Sequence, residues 1–352
     1  MVIESLQDSP RLLFEARLKP VQGERLQPTG FPDLGAATYT LPDGTDMLLV
    51  ESPQSMANRL EAVCWDPATD DLVPDLKGLP YVRVKLPQFG DTAATCSVLE
   101  FHRLNSPYIL NSTGDFTESL RLAAGLSAKK PARKGQEGDA DSGSGAVDLR
   151  KIAAACFRHD PNSVLHGVFL EKLDGRARLP RLLSAFIEAR GVRIAQSGGV
   201  KFDRVDPSGD AKQGYGNVPF SRTEFVADST TAYFNLDLAT MRGYGLGPAA
   251  EELLLRLALW KVDRFLKTGL RLRTACDLDY LGIDVTRPAG LQASTLLEAT
   301  DGLANAIARC AREGLFADPP VTEVVWAGKP KTDPKKADRT ADADAAEEEN
   351  GQ

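Results

Sequence analysis

The sequence predicts an α+β fold. Three observations carry this: short alternating or apolar runs bounded by Gly and Pro, several helical periodicities of about ten residues or more, and an order without regular strand–helix alternation. Arg11 to Leu18 alternates roughly and reads as the first strand. Lys19 to Gly35 follows as a shaped loop fixed by Pro20, Gly23, Pro28, Gly30, Pro32 and Gly35. Met47 to Val50 reads as a short buried strand. Ser52 then caps a helix whose first residue is Pro53. Tyr81 to Leu86 alternates as a strand, and Thr95 to Leu110 is a second apolar-rich segment around His102 and Arg103. Residues 125–147 break the pattern: a basic stretch precedes Gly, Ser and acids, which reads as a flexible insertion.

The second half continues in the same mixed manner. Asp148 to Phe157 reads as a helix, Val164 to Leu170 as a strand, and Leu179 to Arg190 as an amphipathic helix stopped by Gly191. A strand restarts at Val192 to Ala195. Gly198 to Phe220 is rich in glycine, yet Val200, Phe202, Val205, Val218 and Phe220 favour an ordered hairpin-like projection. Thr230 to Leu238 alternates as a strand; Pro248 to Lys267 and Ser294 to Glu313 read as helices. The chain to residue 328 reads as one elaborated domain, with a disordered acidic tail over 329–352. No period of about 20–50 residues recurs, which argues against a solenoid.

Composition narrows the function classes. With 42% hydrophobic residues, the 352-residue chain can bury a real core. No run approaches the roughly 20 apolar residues of a membrane span. Glu4 and Asp8 interrupt the N-terminus, so no secretory signal is expected. Cys64, Cys96, Cys156, Cys276 and Cys310 are widely separated and read as reduced thiols of a cytoplasmic protein. His102, His159 and His166 lack zinc-site spacing, so no metal is expected. The net charge of -7 is uneven: seven acids against three bases put -4 of it in the stretch from Asp333 to Gln352. The remaining near-neutral body has local basic clusters, and such clusters contact phosphates regardless of net charge.

Enzyme signatures are absent: no GxGxxG after a strand, no GxxxxGK[ST], no HExxH and no GxSxG. Asp277 and Asp279 read as a solvated turn in preference to a metal pair. The chain offers instead polar and basic residues scattered over shaped loops. Arg17 and Lys19 lead into Gln22, Arg25, Gln27 and Thr29. At the helix start, Met56, Leu60 and Val63 share one face, while Gln54, Asn58 and Glu61 share another beside Ser55 and Arg59. That polar row fits either a phosphate seat or a capped surface helix. Arg103 and Ser106 follow, then Lys201, Arg204, Gln213 and Tyr215 on the glycine-rich projection, then Arg271 and Arg273. Such a distribution suits a protein that holds an extended single strand, with backbone contacts fixing its path and apolar or aromatic groups stacking on bases.

A family resemblance sharpens this. Leu18-Lys19-Pro20-Val21-Gln22-Gly23, Gln27-Pro28-Thr29-Gly30-Phe31-Pro32-Asp33 and the Glu51–Glu61 stretch resemble the Cas-seven backbone subunit of type I-G CRISPR Cascade, in the RAMP superfamily. His102-Arg103-Leu104, His166-Gly167-Val168-Phe169, Gly198-Gly199-Val200-Lys201, Asn217-Val218-Pro219-Phe220 and the run from Gly269 to Asp277 resemble it as well. The resemblance implies an RRM-like (ferredoxin-like) palm with finger- and thumb-like insertions, the thumb at 198–220. It implies a non-catalytic subunit, without cofactor, that polymerises head to tail along CRISPR RNA and presents the spacer to target DNA. Implied partners are a Cas-five/Cas-six-type subunit, a large Cascade subunit and a recruited helicase–nuclease. Two alternatives stay open: a RAMP-type endoribonuclease using His102 or His159, and a protein-binding scaffold.

Overall fold

Alternation is the key to the central sheet. In β1 (Arg11–Pro20), Leu12, Phe14, Ala16 and Leu18 are buried, while Arg17 and Lys19 point to the other face. The computed structural model describes residues 6–31, 35–126, 147–171, 173, 175, 177–268 and 270–328. The expected flexible insertion at 125–147 falls almost wholly outside these residues, and the acidic tail entirely so.

Seven strands form that sheet. They are β1, β2 (Thr38–Thr40), β3 (Asp46–Glu51), β4 (Leu183–Arg190), β5 (Ser229–Asp237), β6 (Leu270–Arg273) and β7 (Cys276–Arg287). Their spatial order is β6-β7-β1-β5-β4-β3-β2, and every neighbouring pair is antiparallel. Phe14 of β1 lies opposite Phe234 of β5, and Ala185 of β4 faces Phe234 from the other side. Helices α1 (Pro53–Ala62) and α4 (Pro248–Lys267) pack against the apolar face, with Phe265 of α4 edge-on to Phe234 of β5. Helices α2 (Leu149–His159) and α3 (Pro161–His166) lie in sequence between α1 and β4. A second sheet holds Ser112–Thr113, Val321–Trp326, Tyr81–Lys85 and Ala94–Cys96, in that order. The molecule is therefore α+β, built on a large antiparallel sheet with helices.

Three expected elements differ. Leu179 to Arg190 is not a helix: the chain is extended from Leu183, with Leu183, Ala185, Ile187 and Ala189 buried. Its residues fit both periods, and hydrogen bonding to β5 and β3 on either side decides for the strand. Val164 to His166 closes helix α3, leaving only Val168–Phe169 extended. Asp160 explains this: its carboxylate accepts from the Asn162 N–H at 3.0 Å and starts the helix. The helix expected over Ser294–Glu313 is broken by a tighter turn at Ala299–Gly302. Its sequence, Ala-Thr-Asp-Gly, favours local turns over continued helix. The five cysteines are buried and free, as expected.

Charges are buried between these layers. Arg103, with φ at 53°, donates from Nε to Glu61 Oε1 at 2.6 Å and from Nη2 to Oε2 at 2.7 Å. Its third contact is the Gly167 carbonyl at 3.2 Å. Lys261 Nζ and His166 Nε2 meet at 2.9 Å, both fully buried. Burial, then Lys261, lowers the His166 pKa, so the imidazole is neutral and accepts from the ammonium. These contacts tie α1 to the turn at Arg103, and α3 to α4.

Candidate nucleic-acid interface

The loop after β1 is held from three sides. Val21 N–H donates to Asp277 O at 3.0 Å, Gln27 N–H to Ala275 O at 2.8 Å, and Thr29 N–H to Val50 O at 3.1 Å. Leu26 is buried and exchanges both backbone hydrogen bonds with Phe225, at 2.8 and 3.0 Å. This pinning leaves Gln22 and Arg25 exposed and Gln27 and Thr29 half-buried. Beside the loop opens a cavity of about 1180 Å³, walled by Gln27, Thr29, Tyr39, Arg193, Arg222 and Arg273 among others. A second cavity of about 580 Å³ is lined by Gln22, Arg25, Glu224 and Arg271. Arg25 and Arg222 meet again in a smaller one of about 320 Å³. The shared walls make a stepped groove along one side of the loop.

Helix α1 begins three residues after Val50, whose carbonyl takes the Thr29 N–H of the loop. Ser52 caps it, accepting from Ser55 N–H at 3.3 Å, so one expected phosphate donor is already used. Gln54 and Asn58 are exposed, Ser55 half so, and Met56 and Leu60 anchor the helix in the core. Arg59 is not a free grip. Its Nε lies 3.2 Å from Glu51 Oε1, an ion pair without hydrogen-bond alignment, and the guanidinium also donates to Leu272 O. Arg273 bonds the other Glu51 oxygen, and donates to Gln27 O at 3.2 Å and Val50 O at 3.1 Å. These bonds bring α1, β6, the end of β3 and the loop to one place.

The glycine-rich segment is a projection. Strands Arg193–Lys201 and Val218–Val226 pair with each other in a two-stranded sheet of their own. Nine residues at about 3.3 Å rise carry the tip roughly 27 Å from the base. The tip is ordered by Asp203, whose carboxylate accepts from Val205 at 2.8 Å, Asp206 at 3.1 Å and Gly216 at 2.8 Å. Those backbone donors, Gly216 foremost, lower its pKa. Lys201, Arg204, Gln213 and Tyr215 are all exposed there. So are Phe202 at 79% and Val205 at 94%, large apolar groups that none of the described residues covers.

Not every expected contact residue joins this surface. Arg103 is 7% and Ser106 0% exposed. Arg103 is spent on Glu61, and Ser106 on Glu100 at 2.9 Å and the Tyr108 N–H at 3.2 Å. Both are corrected to structural residues, because buried polar groups must be satisfied internally. Arg17 lies on the open sheet face, 2.6 Å from Asp284, with Lys19 exposed on the same strand. Arg271 is exposed, 3.7 Å from Asp277. Sequence reading missed Arg222, Arg193, Glu51 and Glu224. Arg222 and Glu224 are two residues apart on one hairpin strand, Val218–Val226, which runs past the expected end of the projection at Phe220.

The histidines stand apart from the groove. His102 is exposed and packs on Phe101, ring centroids 4.4 Å apart. His159 is half-buried against Phe116, with Nδ1 at 3.2 Å from Thr322 Oγ1. Burial, and then Arg158, lower its pKa from 6.5 to about 4. Below pH 6.5 the unfolded chain therefore takes up a proton that the folded protein refuses until about pH 4. The stability it contributes is complete above that range and is lost as the pH falls through it. His159→Gln is expected to flatten the decline in thermal midpoint between pH 7.5 and about 4.5; an unchanged decline would exclude this residue as its source.

Comparison with known proteins fits this α+β chain. Residues 12–194, just over half the chain, match the family described as CRISPR-associated protein GSU0053. The chain belongs to that family, which is Cas-seven-like. No curated protein matches the sequence. Among solved structures, it is similar to a chain of a "CRISPR RNA-guided surveillance complex, pre-nicking", at 13% identity and TM-score 0.42, covering 86% of this chain and 89% of that one. It is also similar to Csc2 of Thermofilum pendens, at 12% identity and TM-score 0.29, covering 86% and 76%. Among the described residues, no helix is long and apolar enough to cross a membrane.

Proposed function

We propose that this chain is the non-catalytic backbone subunit of a type I-G CRISPR effector complex. It binds CRISPR RNA along the groove between the 21–30 loop, the start of α1 and the base of the projecting hairpin. Copies add head to tail along the RNA, and a contact of that kind does not close on itself. The hairpin serves as the thumb: its exposed Phe202, Val205 and Tyr215 displace or stack on bases at intervals. The spacer bases stay presented to target DNA, so that pairing reads sequence and protein reads the backbone. The partners are other copies, the end-capping and large subunits and a recruited helicase–nuclease, in the cytoplasm.

The observation that carries this reading is the juxtaposition of a guanidinium-lined groove with a hairpin that exposes large apolar side chains. Family membership supports it. An RRM-like palm within one domain over 1–328 is supported by strand order. Strands β1, β4, β5 and β7 lie as β7-β1-β5-β4, which is fourth, first, third, second, with α4 joining the third to the fourth. The working surface comprises Gln22, Arg25, Gln27, Thr29, Gln54, Ser55, Asn58 and the outward faces of Arg59, Arg271 and Arg273. Lys201, Arg204, Gln213 and Tyr215 act from the tip, and Arg17 and Lys19 from the sheet.

Retention of RNA by complexes purified from cells tests the groove. Asn58→Ala and Arg59→Ala are expected to retain less RNA than Lys335→Ala, whose site lies outside the described residues. Equal retention by all three would contradict the assignment. Asn58→Ala is the cleaner variant, because Arg59 also supports the fold.

A further inference from the structure

Two glutamates with almost no exposed surface lie under the groove, and each contacts two arginines. Glu51 is 0% exposed; Arg59 approaches one oxygen at 3.2 Å, and Arg273 bonds the other. Glu224 is 6% exposed; Arg25 Nη1 lies 3.1 Å from Oε2, and Arg222 Nη1 lies 3.7 Å from Oε1. Ser197 Oγ donates to Glu224 Oε2 at 3.0 Å and fixes the carboxylate further. We propose that Glu51 and Glu224 are positioning residues that hold four arginines ready for RNA phosphates. The inference rests on the reading of the groove as an RNA site.

The charge count separates these trios from ordinary ion pairs. One carboxylate against two guanidiniums leaves each trio with one net positive charge. The carboxylates face inward, and the guanidiniums keep exposed area: 56% for Arg25, 39% for Arg222, 26% for Arg59 and 23% for Arg273. Arg222 and Arg273 line the large cavity, and Arg25 and Arg222 the small one. The two trios bracket the pinned loop, whose Gln27 carbonyl takes one of the Arg273 donors. Arg273 already donates to Glu51, Gln27 O and Val50 O, and Arg59 to Leu272 O, so these two offer a phosphate their charge and remaining N–H groups, held in place in advance. A long surface side chain otherwise loses rotamer freedom at the moment of binding. Here folding has already fixed much of that freedom.

The sign of a charge-removing substitution tests this. Glu51→Gln and Glu224→Gln each add one positive charge while keeping side-chain size. If the carboxylates merely compete with phosphate, both variants bind RNA more tightly. If they aim the arginines, both bind more weakly despite the added charge. The measurement is fluorescence anisotropy of the purified full chain with a labelled single-stranded RNA of uniform sequence, over a salt series. The expected result is at least a threefold loss for each variant, with the slope of log K against log salt shallower by about one, the change for one lost phosphate contact. Glu51→Asp, which keeps the charge but withdraws it by one methylene, is expected to lose affinity too. Unchanged or tighter binding by the folded Gln variants overturns the inference. Glu224 lies in the separate hairpin, so its variant decides the matter if Glu51→Gln fails to fold. Absence of binding by the wild-type chain would instead overturn the reading of the groove, and the inference with it.

Discussion

Arg103→Met is expected to destabilise the protein by about 3–5 kcal/mol, the cost of leaving a buried charge without its partner. Arg103 and Glu61 are 7% and 3% exposed and share a bidentate pair, so no water replaces the lost guanidinium. Burial, and then Asp160, push the Glu61 carboxyl upward, while Arg103 and, less, Lys261 pull it back; without Arg103 the largest opposing pull is gone and the shift is further upward. The Gly167 carbonyl loses a donor in the same step. Replacing both partners, as Glu61→Leu with Arg103→Met, is expected to cost less than the single change, because two apolar groups leave no orphaned charge. Urea denaturation of the three variants checks this. A single-variant loss under about 1 kcal/mol would show that the pair behaves as a surface bridge.

Phe202→Ser with Tyr215→Ser is expected to weaken single-stranded RNA binding by about tenfold or more. Each base stacked on an aromatic ring contributes about 1–3 kcal/mol. The same double variant is expected to leave the unfolding midpoint within error of wild type. Both rings are exposed, at 79% and 56%, and lie at the tip of the hairpin, away from its backbone bridge between Phe225 and Leu26, so the core loses nothing. That contrast separates a working tip from a structural one. Unaltered RNA affinity in a correctly folded variant would remove the thumb from the account.

The sequence made some elements legible and hid others for definite reasons. Helix α4 was readable because Pro248 starts it and twenty residues keep one period to Lys267. The hairpin was readable as a projection because its apolar residues sit among glycines in a segment too long for a plain loop. Strand β4 was not, because Leu179 to Arg190 satisfies both periodicities and only its neighbours in the sheet choose. Strand β7 was hidden because its outer half carries little buried apolar surface, from Asp279 to Arg287. Among the expected contact residues, the exposure of Gln22, Arg25, Asn58 and Lys201 needed only local pattern. Arg103 and Ser106 looked alike in sequence but are buried, and burial is a tertiary property. Glu51 and Glu224 were invisible for the same reason: a carboxylate that gathers arginines from distant segments leaves no local spacing behind.

The most direct test is electron microscopy of the complex purified after coexpression with its CRISPR array and partner subunits, with the protected RNA sized in parallel. The account predicts elongated particles containing several copies of this chain and RNA of defined length. Homogeneous RNA-free monomers under those conditions would contradict it.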